Sequence, residues 1–260
     1  MANGAYIGVD GTARKIRGLY VGVDGKARKI MKAYIGVNGV AKLCWASANP
    51  VFAENTWEEI IAACKSGGVP SEWKVGDQKT MTINGKEHVI DIIGKNHDDY
   101  ADGSGKAPLT FQMHDCYNKV YVFNGSSGNT WSTCKLRNTS LPEILALMPA
   151  EVQSGIREVS KKTAISNNDS TIATTADKLF LLSEVEVFNT TSKSYAGEGA
   201  QYAYYAAGNR TIKNAGSEPR LYWLRSPSKT SNFICAVNDA GAIAATIVSN
   251  TQGVAFAFCF

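Results

Sequence analysis

The side chains best suited to nucleophilic or metal chemistry are three histidines and six cysteines, and their spacing supports little of it. His88, His97 and His114 do not stand beside a Ser or Cys in a nucleophile setting. His114 and Cys116 are two residues apart, which on a strand puts both on one face, but a reactive thiolate needs positive charge and access, and Asp115 supplies neither. A packed histidine beside a buried thiol is the expectation. Cys44, Cys64, Cys116, Cys134, Cys235 and Cys259 make no Cys-x-x-Cys pair and no zinc spacing, so they read as mostly buried thiols, although the even count would permit three disulfides. Gly103-Ser-Gly-Lys106 has the outline of a phosphate loop, but Ala107 stands where Mg²⁺ needs a hydroxyl and Tyr100 where the first Gly belongs. It reads as a flexible loop. Asp98-Asp-Tyr-Ala-Asp-Gly103 has the outline of a calcium loop, yet Tyr100 takes the third ligand position and Leu109 the twelfth, where a bidentate Glu is required. It reads as a solvated acidic turn. No catalytic residue, metal or cofactor is expected, and the chain does not read as an enzyme.

The elements that would position any site follow from local signals. Thr56-Trp-Glu-Glu59 is a capping box opening a helix whose apolar face is Ile60, Ile61 and Cys64, and Gly67-Gly68 ends it. Residues 79–83 and 87–93 alternate around Asn84-Gly85, a hairpin. Ser140-Leu-Pro-Glu143 is a second capping box opening a helix over 144–148, and Pro149 restarts a short helix towards Ile156. Further strands are expected at 179–187, 223–226, 233–237, 242–248 and 254–258, with a short helix at 198–206. Few helices among many short strands, without βαβ alternation, is an α+β pattern.

The chain has 260 residues, 44% of them hydrophobic and 19% charged, enough to build a folded core. No apolar run long enough to cross a bilayer occurs, and residues 1–6 lack the outline of a secretory signal, so folding in a cytoplasm and no membrane insertion are expected. The net charge of +4 is uneven: residues 5–46 carry +6, which leaves −2 on the rest. A slightly acidic body lacks the clustered cations that displace phosphate counterions, so nucleic acid is not expected as a partner.

The basic segment is an internal repeat. Ala5-Tyr-Ile-Gly-Val-Asp-Gly-Thr-Ala-Arg-Lys-Ile returns at Leu19 and, with Asn-Gly for Asp-Gly, at Ala33, a period of 14. Asp10-Gly11, Asp24-Gly25 and Asn38-Gly39 suit tight turns, so each unit reads as a hairpin and the three together as a thin sheet. Such a sheet has little core, so residues 1–45 read as an anchoring or oligomerisation module. Tyr6, Tyr20 and Tyr34 would be its buried stripe, with the Arg-Lys pairs outside. An ordinary solvated β-meander is the alternative. Residues 46–50 read as a linker to a body over 50–260.

From Ser226 to Phe260 the only charged residues are Lys229 and Asp239, and 228–250 is dominated by Ala, Ser, Thr, Asn and Ile. Small neutral side chains of varied chemistry make an adaptable contact face, or simply a small-residue sheet edge. Leu179-Phe-Leu-Leu-Ser-Glu-Val-Glu186, Glu198-Gly-Ala-Gln-Tyr202, Tyr222-Trp-Leu-Arg-Ser-Pro227, Asn232-Phe233, Val237-Asn238 with Gly241, and Gly253-Val-Ala-Phe-Ala-Phe258 together resemble the C-type lectin-like domains of the formylglycine-generating-enzyme-like subtype, found in bacteriophages and gut bacteria. Many of these are variable proteins diversified by retroelements. The hairpin repeat similarly resembles repeats of phage tail and baseplate proteins.

The resemblance implies a receptor-binding tail protein with a diversifiable face over 228–252. Adenine-directed mutagenesis of Asn codons yields residues of the kinds seen there, Lys229 excepted. It implies ligand contacts at Ser228, Ser231, Asn232, Ile234, Ala236, Asn238, Ala240, Ala242, Ala244, Ala245, Thr246, Ser249 and Asn250. Trp223, Leu224, Arg225, Phe233, Val237, Gly241 and Val254 would be scaffold. Ala255-Phe256 replaces the Arg-Pro common near the end of relatives. The implied partners are a protein or glycan on a host cell and other virion proteins through residues 1–45. A homo-oligomer, a trimer by preference, is implied, located in a virion tail or, second, on a bacterial surface. Two alternatives are a calcium-dependent lectin and a purely structural virion protein. Glu218-Pro-Arg220 and Val237-Asn-Asp239 resemble the lectin calcium motifs, but Arg220 puts a cation where the ion needs an oxygen donor. Copper-dependent catalysis on this scaffold needs a close cysteine pair, and Cys235 and Cys259 are far apart in sequence.

Overall fold

Three Asp-Gly or Asn-Gly pairs close two-residue hairpin loops in the computed structural model with positive φ at both residues: Asp10 and Gly11 at 50° and 74°, Asp24 and Gly25 at 51° and 71°, Asn84 and Gly85 at 49° and 73°. Such a turn matches the right-handed twist of its flanking strands and closes a hairpin in fixed register. The described residues are 6–15, 19–30, 32–37, 39–46, 48–125, 128 and 130–260, with side-chain surroundings left out for parts of residues 6–46. The chain divides into two compact units, Met1–Trp73 and Lys74–Phe260.

In the first unit β1 (Tyr6–Val9) pairs with β2 (Thr12–Lys15), β3 (Leu19–Val23) with β4 (Lys26–Ile30), and β5 (Lys32–Val37) with β6 (Val40–Ala46). These are three separate two-stranded sheets and not the single thin sheet that the repeat suggests. Each second strand of the first two repeats carries an Arg-Lys pair, and charge along a strand opposes edge-to-edge pairing. Tyr20, expected in a buried stripe, is 64% exposed, because a two-stranded hairpin offers it no second layer. The side chains of Tyr6 and Tyr34, and the Asn38 turn residue, lie outside the described residues.

Helix α1 (Trp57–Ser66) begins as its sequence dictates: Thr56 accepts from the Glu59 N–H while Glu59 accepts from the Thr56 N–H, and Gly67 ends it in the left-handed region. Ile60, Ile61, Ala63 and Cys64 are its buried face. The expected linker over 46–50 is held at Asn49, whose backbone N–H donates to Asn55 Oδ1 at 2.7 Å and whose carbonyl accepts from Trp73 Nε1 at 2.8 Å.

The second unit is α+β and mostly strand. Its elements are β7 (Gln78–Ile83), β8 (Lys86–Lys95), β9 (Leu109–Met113), β10 (Tyr121–Val122), α2 (Leu141–Leu145), α3 (Ala150–Gly155), β11 (Val159–Ser166), β12 (Asp169–Asp177) and β13 (Leu179–Phe180). There follow α4 (Glu184–Phe188), α5 (Ala203–Ala206), β14 (Asn214–Ala215), β15 (Glu218–Pro219), β16 (Tyr222–Pro227), β17 (Phe233–Val237), β18 (Ile243–Ile247), β19 (Thr251–Gln252) and β20 (Ala257–Cys259). The largest sheet runs β13-β20-β9-β8-β7, antiparallel throughout, and a second runs β16-β17-β18. Two-pair ladders join β10 to β19 and β14 to β15, and β11 pairs with β12 as a long hairpin. Phe111, Phe258 and Phe260 pack together in the core beside this sheet, with ring centroids 5.2–5.5 Å apart, Phe111 and Phe258 stacked and Phe260 tilted or edge-on to both.

Two expectations are corrected here. Residues 179–187 are not one strand: β13 ends at Phe180, and Ser183 with Glu186 forms a reciprocal capping box that starts α4. Ser140 does not cap a helix, since it is itself helical and a π-helical turn over Leu136–Ser140 feeds α2 from before it. The β11–β12 hairpin carries no clear sequence signal, because Thr, Ser and Ala on a half-covered ribbon give little hydrophobic alternation.

Candidate ligand-binding face

Strand β17 is buried on both of its faces: Ile234, Cys235, Ala236 and Val237 are all fully enclosed, although successive side chains point to opposite sides. On one side the Cys235 thiol approaches the Glu184 carboxylate, at 3.9 Å. Strand β17 therefore presents no open face, and within the sheet the edge strand β18 is the partly exposed one.

At one end the 228–232 and 248–252 connections lie side by side, tied by the Val248 N–H to the Asn232 carbonyl at 3.1 Å. Ser231, Asn232, Ser249 and Asn250 are exposed there, next to Ile247 at 43%. The patch is held from beneath. Asn232 sits at φ 60°, Asn250 Nδ2 donates to Thr246 Oγ1 at 2.9 Å, and Lys229 Nζ donates to the Thr191 carbonyl at 2.8 Å. At the other end the 238–242 turn carries exposed Ala240 and Ala242, with Asn238 half-buried. Asn238 Oδ1 accepts from the N–H groups of Ala240 and Ala242, so the oxygen that a calcium lectin would turn to the ion caps its own loop. Gly241 there has φ 79°, and a Cβ on it would lie 2.5 Å from Thr211 Oγ1. The two ends are separated by a five-residue strand, about 16 Å at the usual rise.

The expected contacts are thus not one surface. Ser228, Ile234, Ala236 and Thr246 are buried and cannot touch a ligand, since β17 is covered on both sides and Thr246 lies under Asn250. Ala244 and Ala245 are half-buried on β18. The expected scaffold residues Trp223, Leu224, Arg225, Val237 and Val254 are buried, while Phe233 and Gly241 are intermediate.

Beneath the loops runs a buried polar framework that no local pattern announces. Arg225 is fully enclosed and donates to both oxygens of Glu186, at 2.5 and 2.9 Å, and to the carbonyls of Leu181, Glu198 and Lys162. Lys161 bridges Glu186 and Asp98, 2.7 Å from each. Asp98 also accepts from Thr110 and Tyr202, so it is not part of a solvated turn, although Asp99 and Asp102 on the same segment are exposed. Burial alone would raise the Asp98 carboxyl, but Lys161 and the Thr110 hydrogen bond prevail and hold it at about 2. Burial likewise opposes the charge on Glu186, and Arg225 and Lys161 overcome it. Glu198, with less positive charge close by, is pushed up by its burial. Glu184 is anchored by the N–H groups of Lys193 and Ser194 and by Ser192 Oγ at 2.7 Å, which ties the 190–195 loop to α4.

The remaining chemical candidates are dispersed. His88 stacks on Tyr117 and His97 on Tyr202, while His114 Nδ1 lies 2.9 Å from the buried Asp91 carboxylate. The described thiols Cys64, Cys116, Cys134, Cys235 and Cys259 are free and buried, and burial pushes those of Cys64, Cys116 and Cys134 up to about 12. His114 and Cys116 do not form a reactive pair. In the suspected phosphate loop, Lys106 pairs with Asp99 at 2.9 Å. Among the described residues no helix is long and apolar enough to cross a membrane.

Residues 104–260 match the model of a family described as a domain of unknown function, DUF6273. The match covers more than half of the chain, and the chain belongs to this family. No curated protein and no solved structure matches it.

Proposed function

We propose that this chain is a binding protein of a phage or phage-derived tail, in which a C-type lectin-like body displays a replaceable contact patch and the hairpin repeats attach it to its assembly. The tail assignment and the lectin-like subtype rest on the resemblance of the motifs and of the repeat. One observation carries the binding reading: Ser231, Asn232, Ser249 and Asn250 stand exposed together on two adjoining loops, beside the buried strands β16 and β17. A stiff base carries the ordering cost, so the exposed side chains can change without unfolding the body. The patch carries no acid, and the Lys229 ammonium beside it is engaged by a backbone carbonyl. That suits a neutral protein or glycan surface on a host cell. If several copies assemble through residues 1–45, weak single contacts combine, and avidity exceeds single-site affinity by about 10² to 10⁴.

The test is adsorption of the purified, fluorescently labelled full chain to a panel of bacterial cells, with Ser231 and Ser249 replaced together by glutamates. Loss of adsorption with unchanged thermal unfolding is expected. Adsorption that survives the replacement would leave the patch without a role. If chelation abolished adsorption instead, the calcium-lectin alternative would stand.

A further inference from the structure

Four of the enclosed charges of the second unit form one connected set, Asp98, Lys161, Glu186 and Arg225, none with a side chain more than 3% exposed. Removing four charges from water is costly, and their mutual attraction repays it only in part. Lys161 Nζ lies 2.7 Å from Asp98 Oδ1 on one side and 2.7 Å from Glu186 Oε1 on the other, and it is 4.3 Å from the centre of the Phe180 ring. Asp98 Oδ2 accepts from Thr110 Oγ1 at 2.6 Å, and the Tyr202 hydroxyl lies 2.9 Å from both Asp98 oxygens, within reach of donating to Oδ2. An amine, a carboxyl group, a second carboxylate within reach of the amine and two donors on the far carboxyl oxygen are thus assembled away from water.

We propose that Lys161 and Asp98 condense into an intramolecular isopeptide bond that cross-links strand β11 to the segment following β8. The pair rests ionised, so the reaction starts when one ammonium proton passes to Asp98 Oδ1 across the 2.7 Å contact, leaving a neutral amine against a neutral acid. The nitrogen lone pair then forms the N–C bond at Cγ, and negative charge gathers on Oδ2, where Thr110 and Tyr202 donate to it. Glu186 takes a second proton from the nitrogen and returns it to Oδ1. The C–Oδ1 bond breaks with its electron pair on oxygen, and one water leaves. The amide keeps one N–H, Glu186 is again a carboxylate, and no oxidant or co-reactant is needed.

Two features favour this over a permanent ion pair. Condensation removes one positive and one negative charge together, and the Glu186–Arg225 pair that remains is balanced on its own. The reacting groups are also held in contact by elements 63 residues apart in sequence, so no diffusion is required. A covalent tie across that span constrains the unfolded chain as a disulfide would, without depending on redox conditions.

The test is the intact mass of the purified, denatured full chain, followed by proteolytic mapping. The proposal expects a chain lighter than its sequence by one water, and a branched peptide that joins the segment containing Asp98 to the one containing Lys161. Asp98→Asn, whose side-chain amide loses ammonia instead, should reach the same final mass, whereas Lys161→Arg should keep its full sequence mass. A wild-type chain at full sequence mass overturns the proposal, as does a water lost anywhere other than between these two residues. Because the wild-type measurement decides on its own, a variant that fails to fold does not affect the outcome.

Discussion

Replacing Arg225 with Met removes the only described partner that holds both oxygens of Glu186, and the size of the effect follows from what is left behind. Glu186 keeps Lys161 and its capping bond to Ser183, but loses two charge-assisted contacts at 2.5 and 2.9 Å. The carbonyls of Leu181 and Glu198 lose donors at 2.8 and 2.7 Å in a site without water access. Breaking a buried pair by deleting one partner costs about 3–5 kcal/mol, and each orphaned carbonyl adds about 1–3 kcal/mol. A domain whose whole stability is about 5–15 kcal/mol would then sit near its unfolding limit. Urea denaturation followed by tryptophan fluorescence, which Trp131 and Trp223 report from the same core, is the assay. Arg225→Met with Glu186→Met removes the stranded carboxylate along with its partner, so the double variant should be no less stable than Arg225→Met alone. A loss below about 1 kcal/mol for Arg225→Met, the scale of an exposed pair, would refute the framework reasoning.

Gly241→Ala should destabilise by about 2 kcal/mol or more in the same assay, because Ala is strained at φ 79° and its Cβ would collide with Thr211 and Ile212; an unaffected midpoint would contradict the packing of the 238–242 turn. Burial lowers the Lys213 ammonium from 10.5 to about 8 despite Asp91, Cys116 and Asp115 nearby, so below pH 8 the folded state carries a cost that is relieved as pH rises towards 10.5. Over that window wild type should gain about 3 kcal/mol relative to Lys213→Met, read from paired urea curves at each pH, and a constant difference would contradict it. In the native protein at pH 8 the thiols of Cys64, Cys116 and Cys134 should resist alkylation and react once urea unfolds the chain, as followed by site-resolved mass spectrometry.

The hairpins and the first helix were legible because their signals are local. Asp10-Gly11, Asp24-Gly25 and Asn84-Gly85 each need only two residues to accept positive φ, and Thr56 with Glu59 satisfies a helix start within four. The same rule fails at Ser140, where the identical pattern lies inside a continuing helical turn, so a motif's neighbours decide whether it acts. Ser183 with Glu186 shows the converse: a working box inside a run that reads as strand by composition. The exposed loop patch was legible in part. Small neutral residues fill 228–250, but composition does not separate Ser231 and Asn250 at the loop ends from Ile234 and Ala236, which are sealed between layers. The charged framework was the least visible. Asp98, Lys161, Glu186 and Arg225 come from four distant segments, and although the resemblance places Arg225 in the scaffold, no local signal marks the four charges as buried together.

The account turns on whether the two adjoining loops hold the ligand. A library randomised only at residues 231, 232, 249 and 250, displayed on the full chain and selected on intact bacterial cells, tests this directly. The account predicts folded variants with new cell preferences, set by those four positions alone. Variants that fold yet all keep the cell preference of the parent would contradict it.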